Sequence, residues 1–293
     1  MHEIYTLEKE ATPLPLKHIP QPPSKLYVKG KMPAEDTVLL CVVGAREHSS
    51  YGEDVCKKLI AGLKGYNICI VSGLAIGIDG IAHRAALETG LQTVAFPGSG
   101  LDPKVLYPAS HARLAEEIVY AGGALISELE MQTVAAPWTF PQRNRLMAGI
   151  SKATLVIEAE LLSGTLITSR LASDYNREVG AVPGNIFSPL SAGPHMLIRG
   201  GAIPITCTDD ILEMLGFERR DGMGQEQRIV QANLFGGLNE NEKRVIEILQ
   251  IEPRTAEQLV QKTGHSARVV NEILSSLEVQ GLIEEGERGF RVK

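Results

Sequence analysis

Short apolar runs alternate with stretches of helical periodicity along most of this chain. The first run, TVLLCVVGA at residues 37–45, is apolar throughout, which is typical of a strand buried on both faces. Further short runs follow at residues 67–73, 92–98, 124–128, 153–159, 181–184 and 203–207. This alternation predicts βαβ units and a doubly wound parallel sheet. Several runs end in Gly, Ser, Glu or Pro-Gly, so we expect small and polar residues at the carboxyl edge, where such sheets bind ligands.

The composition is that of an ordinary globular protein of 293 residues, with 44% apolar and 22% charged residues. It excludes collagen-like, mucin-like and coiled-coil classes. The apolar runs are too short for a membrane span, and the N-terminus lacks the apolar core of a secretory signal. We therefore expect a cytoplasmic protein that does not contact membranes.

The four cysteines are scattered along the sequence without a CxxC pair. They are Cys41, Cys56, Cys69 and Cys207. This spacing argues against a disulfide framework and against a cysteine metal site, so we expect reduced thiols and no bound metal. The net charge of −6 does not by itself indicate a nucleic-acid ligand, although a local basic groove can lie on an acidic protein.

Changes in composition divide the chain into four parts. Residues 1–35 are rich in proline, which disfavours helix interiors, and we expect a tail or a strap across the next domain. Residues 36–215 carry the α/β pattern, and residues 216–237 form a polar linker with repeated glycines. The last part, residues 238–293, is predicted to be a small separate domain.

This last part contains three helical stretches followed by two short strands around a glycine turn. Thr255 and Ser266 are the predicted N-caps of the second and third helices. The order predicts a winged helix domain. Its 8 basic and 10 acidic residues offer little neutralisation of phosphate, so we expect a protein contact or an accessory role rather than duplex recognition.

The segment VSGLAIGIDGIAHRAAL, residues 71–87, predicts a glycine-rich turn between a strand and a helix. Ser72 and Gly73 end the strand, and backbone N–H groups near a helix start attract phosphate. The alternative is that these glycines serve only packing. Asp79 and His83 lie four residues apart on one helix face, where we favour a structural hydrogen bond between them over an acid–base pair or a metal site.

Three further turns follow predicted strands. Arg46 comes after the first strand, where a guanidinium suits a phosphate, with a surface salt bridge as the alternative. Gly98 lies in the turn PGSG. Ser163, Gly164 and Thr165 open a helix, and their hydroxyl and N–H groups suit an anion.

The strongest nucleic-acid signal is WTFPQRNRLMAGIS, residues 138–151, although the chain as a whole is acidic. It brings Phe140, Arg143, Asn144 and Arg145 close together in sequence. An aromatic ring for stacking beside cations for the backbone is the chemistry that binds single-stranded DNA. The alternative is the start of a helix with Phe140 in the core.

A series of motifs occurs in one order between residues 22 and 215. It includes VGAR, SGLAxGIDxxAHxxAL, GSGLD, FPxRNRxxAGIS, VIEAxxxSGTLIT, NREVGAVPG and MLIRGGA. With these motifs the chain resembles the DNA-processing protein A family (DprA/Smf). The resemblance implies an extended Rossmann-like fold, with the winged helix as a common partner. It also implies a protein without an established catalytic reaction or cofactor.

The function implied by the resemblance is binding of single-stranded DNA. Family members protect incoming DNA and load the RecA recombinase on it during natural transformation and homologous recombination, and they form homodimers through the Rossmann domain. Transferred position by position, the resemblance implies a set of DNA-binding residues. These are Arg46, Ser72, Gly73, Gly98, Phe140, Arg143, Asn144, Arg145, Ser163, Gly164 and Thr165. Ile76 stands where the family commonly has Lys or Arg, and His195 replaces an Asn, so both departures imply weaker binding.

Two other classes remain open. Cytokinin-activating phosphoribohydrolases share this fold and use the Glu of a PGGxGTxxE motif. In the matching stretch LSGTLITS, Thr168 and Ser169 stand where that carboxylate would be, so we do not expect glycosidic cleavage, although nucleotide binding stays a weaker alternative. The Walker A and GxSxG motifs are also missing, which argues against ATP hydrolysis by that route and against an α/β-hydrolase. The other class is a regulator that binds DNA through its winged helix.

Overall fold

The structure is a computed structural model that describes residues 3–217, 238–286 and 289–292. The chain divides into two compact units, residues 1–219 and 220–293. Most of the predicted linker, residues 218–237, lies outside the described residues. Within the described ranges, no helix has the length and apolar character needed to cross a membrane.

The first unit is built on one nine-stranded sheet. Its strands are β1 (Ile4–Glu8), β2 (Lys25–Gly30), β3 (Val38–Val43), β4 (Ile68–Ser72), β5 (Gln92–Ala95), β6 (Ala124–Ser127), β7 (Ala153–Val156), β8 (Glu178–Ala181) and β9 (Ile203–Pro204). Their order across the sheet is β1-β2-β6-β5-β4-β3-β7-β8-β9. The pairs from β6 through β9 are parallel, whereas β2 pairs antiparallel with both β1 and β6. The sheet order reverses between β3 and β7, which makes this the topological switch point.

Helices cover both faces of this sheet, so the predicted doubly wound α/β fold is confirmed. They are α1 (Leu14–Lys17), α2 (Ser50–Ala61), α3 (Ile78–Thr89), α4 (Ala112–Tyr120), α5 (Thr139–Ile150), α6 (Thr165–Asp174), α7 (Ala192–Arg199) and α8 (Thr208–Met214). Along β3, Leu40 and Val42 pack into the core that contains α2 and α3, while Cys41 and Val43 pack into the core that contains α5. Because successive side chains of a strand point to opposite faces, an all-apolar run is what a strand between two layers requires.

The proline-rich N-terminus, predicted to be a tail or a strap, contains two regular β-strands. Strands β1 and β2 extend the sheet by antiparallel pairing, and the prolines between residues 13 and 23 lie in the connection that joins them. Leu16 and Ile19 of this connection are buried against Gly149 of α5. Proline is excluded from the strands themselves because it cannot donate to the ladder, and the short strands on either side carry little sequence signal.

The second unit has the predicted winged helix elements. Its helices are α9 (Glu240–Ile251), α10 (Ala256–Thr263) and α11 (Ala267–Val279), and its two antiparallel strands are β10 (Ile283–Gly286) and β11 (Gly289–Val292). The side chain of Thr255 accepts a hydrogen bond from Gln258 N–H, and that of Ser266 accepts one from Val269 N–H, so both predicted caps are confirmed. Gly264 ends α10 in the left-handed region, at a φ of 74°, as glycine readily does.

Candidate functional site

A cleft of about 460 Å³ opens at the carboxyl edge of the sheet, next to the switch point. It lies between residues 43–47 at and after the end of β3, residues 160–165 after β7, and residues 140–147 of α5. Seven of the predicted site residues line it. They are Arg46, Phe140, Arg143, Asn144, Ser163, Gly164 and Thr165. The cleft therefore brings together segments that lie more than a hundred residues apart in sequence, because the carboxyl ends of parallel strands share one edge.

Arg46 and Phe140 contact each other in the cleft, where Arg46 is exposed and Phe140 is half-buried. The guanidinium carbon of Arg46 lies over the Phe140 ring, 5.3 Å from its centroid, which is a cation–π arrangement. The ring of Tyr107 meets Phe140 edge-on, with centroids 5.8 Å apart and an interplanar angle of 65°. Gly98 supports Phe140 from the inside, because a Cβ at that position would lie 2.6 Å from Cε1 of the ring. Arg46, Phe140 and Tyr107 make one aromatic and cationic surface.

Arg143 is buried at the cleft, with only 7% of its surface exposed. Its Nη1 donates to the carbonyl oxygen of Phe96 at 2.6 Å, and its buried Nε has no hydrogen-bond partner among the described residues. The nearby Asp79 carboxylate accepts from Gly73 N–H at 3.1 Å. Burial raises the pKa of the Asp79 carboxyl, and the Arg143 guanidinium opposes this shift. Arg143 thus interacts electrostatically with buried Asp79. It is not a free cation on the surface.

The turn of Ser163, Gly164 and Thr165 is tied to the turn after β3. The hydroxyl of Thr165 donates to the Gly44 carbonyl at 3.0 Å, and the Thr165 N–H donates to the Ser163 hydroxyl at 3.2 Å. This turn precedes α6, so its polar groups lie at a helix N-terminus, where the helix dipole favours anions.

Four predicted site residues do not line the cleft, and their contact with a ligand stays a prediction. Ser72 is buried and donates to the Val42 carbonyl at 2.6 Å. Gly73 packs against Arg143 and Asp79, and Gly98 packs under Phe140. These three positions support the cleft from within.

Arg145 is the fourth residue and lies on another side of α5. Its guanidinium forms an ion pair with Glu128 and donates to the Gln21 carbonyl of the N-terminal connection. The sequence groups it with Arg143, but residues two apart on a helix point in nearly opposite directions. Arg145 holds the N-terminal connection in place.

The interpretation of Asp79 and His83 as a hydrogen-bonded pair was wrong. Asp79 contacts Gly73, whereas Nδ1 of His83 lies 2.7 Å from the Thr93 hydroxyl. Burial lowers the pKa of His83 to about 3, so this side chain is neutral near pH 7. In the described part of the chain, no group of three or more His, Cys, Asp or Glu side chains is arranged to hold a metal ion.

Three carboxyl side chains and one aromatic ring at or beside the cleft were missed from sequence. Glu47 and Glu160 line the cleft, and Glu158 is buried beside it against Ser49. The signal for all three was their position within four residues of the end of a strand. The ring of Tyr107 carried no local signal, because its contact with Phe140 spans more than thirty residues.

Both units of the chain match models of the same protein family. Residues 3–216 match the family model of DNA recombination-mediator protein A, and residues 236–287 match that of the DprA winged helix domain. Protein Smf of Escherichia coli K12 is 43% identical over 216 residues, which cover 74% of this chain and 57% of that protein. The chain thus spans less than two thirds of the length of this curated relative.

Two solved structures of the same group are similar in fold. The X-ray structure of DNA processing protein A from Streptococcus pneumoniae has a TM-score of 0.68 at 37% identity, covering 74% of this chain and 75% of that one. A structure that addresses single-stranded DNA binding by DNA processing protein A from Helicobacter pylori has a TM-score of 0.65 at 28% identity, covering 73% and 96%. The chain therefore belongs to the DNA recombination-mediator protein A (DprA/Smf) family.

Proposed function

We propose that this protein binds single-stranded DNA at the cleft beside the switch point and acts in DNA processing, during natural transformation and homologous recombination. The observation that carries the proposal is the surface of Arg46, Phe140 and Tyr107 at the carboxyl edge of the sheet, where the exposed guanidinium of Arg46 lies over the half-buried Phe140 ring. A planar cation and aromatic rings suit unpaired bases, which a duplex does not present. The DNA processing protein A of Helicobacter pylori, whose fold this chain shares, is described as binding single-stranded DNA.

The side chains of the cleft would divide the contacts between them. Arg46 and Phe140 meet the DNA at the opening, while the Ser163 hydroxyl and the Gly164 N–H are offered to phosphate oxygens. Thr165 holds this turn in place through its own hydrogen bonds to Gly44 and Ser163. Arg143 supports the surface from inside, where its Nη1 donates to the Phe96 carbonyl. Asn144 adds an amide, which suits the edge of a base.

The wider role follows from family membership and is part of the same proposal. It comprises protection of incoming DNA, loading of RecA on the bound strand, a cytoplasmic location, and a homodimer formed through the Rossmann-like domain. We propose binding rather than catalysis, because Thr168 lines the cleft where a phosphoribohydrolase would need its carboxylate. Release of free base from nucleoside monophosphates at turnover rates would contradict that part.

The experiment is a fluorescence anisotropy titration with labelled single-stranded and blunt duplex DNA of one length, over a salt series. We expect micromolar or tighter binding of the single strand with little sequence preference, and weaker binding of the duplex. Arg46→Ala should weaken binding about ten- to a hundredfold, the range expected for loss of a charged contact. Arg113→Ala is the matched control, because Arg113 is exposed on α4 and pairs only with its neighbour Glu117 in the interactions described. Equal affinity for the two DNA forms, or equal effects of the two substitutions, would contradict the proposal.

A further inference from the structure

The turn of residues 97–100, which follows β5, holds two other segments in place. The Ser99 hydroxyl accepts a hydrogen bond from Tyr107 N–H at 3.2 Å, and the Gly98 carbonyl accepts one from the Thr139 hydroxyl at 2.6 Å. Gly98 also packs under the Phe140 ring. Tyr107 and the first residues of α5 are therefore fixed around the same turn, at the carboxyl edge of the sheet.

Trp138 lies at the start of this helix, directly before Thr139. It is the N-cap of α5, and 60% of its surface is exposed, although tryptophan is mostly buried in folded proteins. Residues two apart on a helix point in nearly opposite directions, so the Trp138 ring lies outside the cleft that Phe140 lines. Tyr107 also lies outside the cleft lining, and 45% of its surface stays exposed beside its contact with Phe140. Two exposed aromatic side chains therefore lie next to the cleft.

The loops around these two rings carry no strong net charge. The carboxylates of the loop before α5 are both in ion pairs, Glu128 with Arg145 and Glu130 with Lys25. The loop that carries Tyr107, residues 97–108, has one acidic and one basic residue. A nearly neutral surface with exposed rings suits the faces of unpaired bases better than it suits the phosphate backbone, which needs an excess of cations.

We propose that Trp138 forms an outer subsite for single-stranded DNA, on which a base stacks after the strand has left the cleft and passed over Tyr107. Phe140 connects the two parts, because it lines the cleft and its ring contacts that of Tyr107. Stacking on an indole tolerates any sequence, since every base has a π face. This inference rests on the proposed function and extends the binding site beyond the cleft. A strand that is too short to reach Trp138 should therefore gain nothing from it.

The test compares a long oligothymidylate of about sixteen nucleotides with a short one of about four, the limits of common single-strand sites. Anisotropy with labelled oligonucleotides measures both affinities. Trp138→Ala should weaken binding of the long strand about five- to a hundredfold, the range for one stacked base, and leave binding of the short strand nearly unchanged. Trp138→Phe keeps an aromatic ring and should retain most of the affinity for the long strand.

Intrinsic fluorescence gives a second readout, because Trp138 is the single tryptophan of the chain. Saturation with the long unlabelled strand should quench this fluorescence, whereas the short strand should change it little. The matched control is Tyr120→Ala, since Tyr120 is an aromatic residue with 89% of its surface exposed. It lies at the end of α4, which leads back to the amino edge of the sheet before β6, and its removal should leave both affinities unchanged. Circular dichroism checks that each variant is folded.

Two results would overturn the inference while binding of single-stranded DNA at the cleft stood. One is unchanged affinity of Trp138→Ala for the long strand, or unchanged fluorescence at saturation, which would leave the exposed rings as a surface for a protein partner. The other is an equal loss of affinity for both lengths, which would place the effect of Trp138 within the cleft. If the unmodified protein bound neither oligonucleotide, the proposed function would fail together with the inference.

Discussion

The buried carboxylate of Glu158 accepts two hydrogen bonds from Ser49, one from its backbone N–H at 2.9 Å and one from its hydroxyl at 2.6 Å. Ser49 is the N-cap of α2 and lies three residues after Arg46. Its Oγ also accepts from Gly52 N–H at 3.1 Å. The carboxylate therefore connects the end of β7 to the segment that carries Arg46, at a helix N-terminus whose dipole favours a negative charge.

Glu158→Gln should lower the free energy of unfolding by about 1–3 kcal/mol, since a charged acceptor is lost from a buried network. It should also weaken DNA binding, because the segment of Arg46 is held less firmly. Urea denaturation and anisotropy measure the two effects. Glu160→Gln is the matched control, because Glu160 is exposed at the cleft two residues further on. An unfolding midpoint equal to that of this control would contradict the role of Glu158.

Two glycines of the predicted site turns should respond differently to alanine. A Cβ at Gly73 would overlap the Arg143 guanidinium and lie 2.6 Å from an Asp79 carboxylate oxygen, whereas a Cβ at Gly164 would meet nothing within 4 Å. Gly73→Ala should therefore destabilise the protein by about 1–3 kcal/mol through overpacking, and Gly164→Ala should stay within ~0.5 kcal/mol of the parent. Thermal or urea denaturation measures both variants. If the two variants had similar free energies of unfolding, the Arg143 side chain would be able to move away from the new Cβ without loss of stability.

The pair of Arg143 and Asp79 should be strongly coupled. Arg143→Ala leaves a buried carboxylate without its cation and should cost about 3–5 kcal/mol, so the variant loses stability as well as a cleft contact. Asp79→Asn removes the uncompensated charge, and the double variant should recover part of that loss. A double-mutant cycle from urea denaturation measures the coupling. Additive effects of the two substitutions would show that the charges do not interact.

One thiol should be accessible in the native protein. Burial raises the pKa of Cys41 and of Cys56 to about 12, and it raises the pKa of Cys69 as well, so all three stay protonated and enclosed near pH 8. Cys207 is exposed. A thiol reagent that absorbs on reaction should therefore detect one cysteine before denaturation and four afterwards. Cys207→Ser should leave no rapid reaction in the native state, and rapid labelling of a second thiol would contradict the burial.

A chain that ends near Leu215 should keep most of its affinity for single-stranded DNA and should form the proposed homodimer. The cleft lies wholly in the first unit, and the exposed Arg268 of α11 is already paired with Glu272 at 3.0 Å. With 8 basic and 10 acidic residues, the winged helix domain has no excess of positive charge for a phosphate backbone. Anisotropy and light scattering on the truncated and full chains measure affinity and mass. A large loss of affinity in a folded, dimeric truncation would make the winged helix a principal DNA contact.

The order of elements could be predicted from the sequence because its signals are local. A strand buried on both faces needs an apolar run such as residues 38–43, and a helix start needs a cap such as Thr255 or Ser266. The position of the cleft followed from the same pattern, since parallel strands bring their carboxyl ends to one edge. The family was evident as well, because its motifs are short and occur in a fixed order.

Only the tertiary structure decided which of the predicted site residues face the cleft and which partners they contact. Arg143 and Arg145 are nearly adjacent in sequence, but Arg143 turns to Phe96 and Asp79 at the cleft and Arg145 to Gln21 and Glu128. Helix α5 packs against strands and against the connection between β1 and β2, all of which come from distant parts of the chain. This packing decides which side of α5 faces the cleft. The burial of an arginine and its choice of ion-pair partner are properties of that packing. The candidate residues could therefore be predicted from the local sequence, whereas their burial and their partners depend on the tertiary structure.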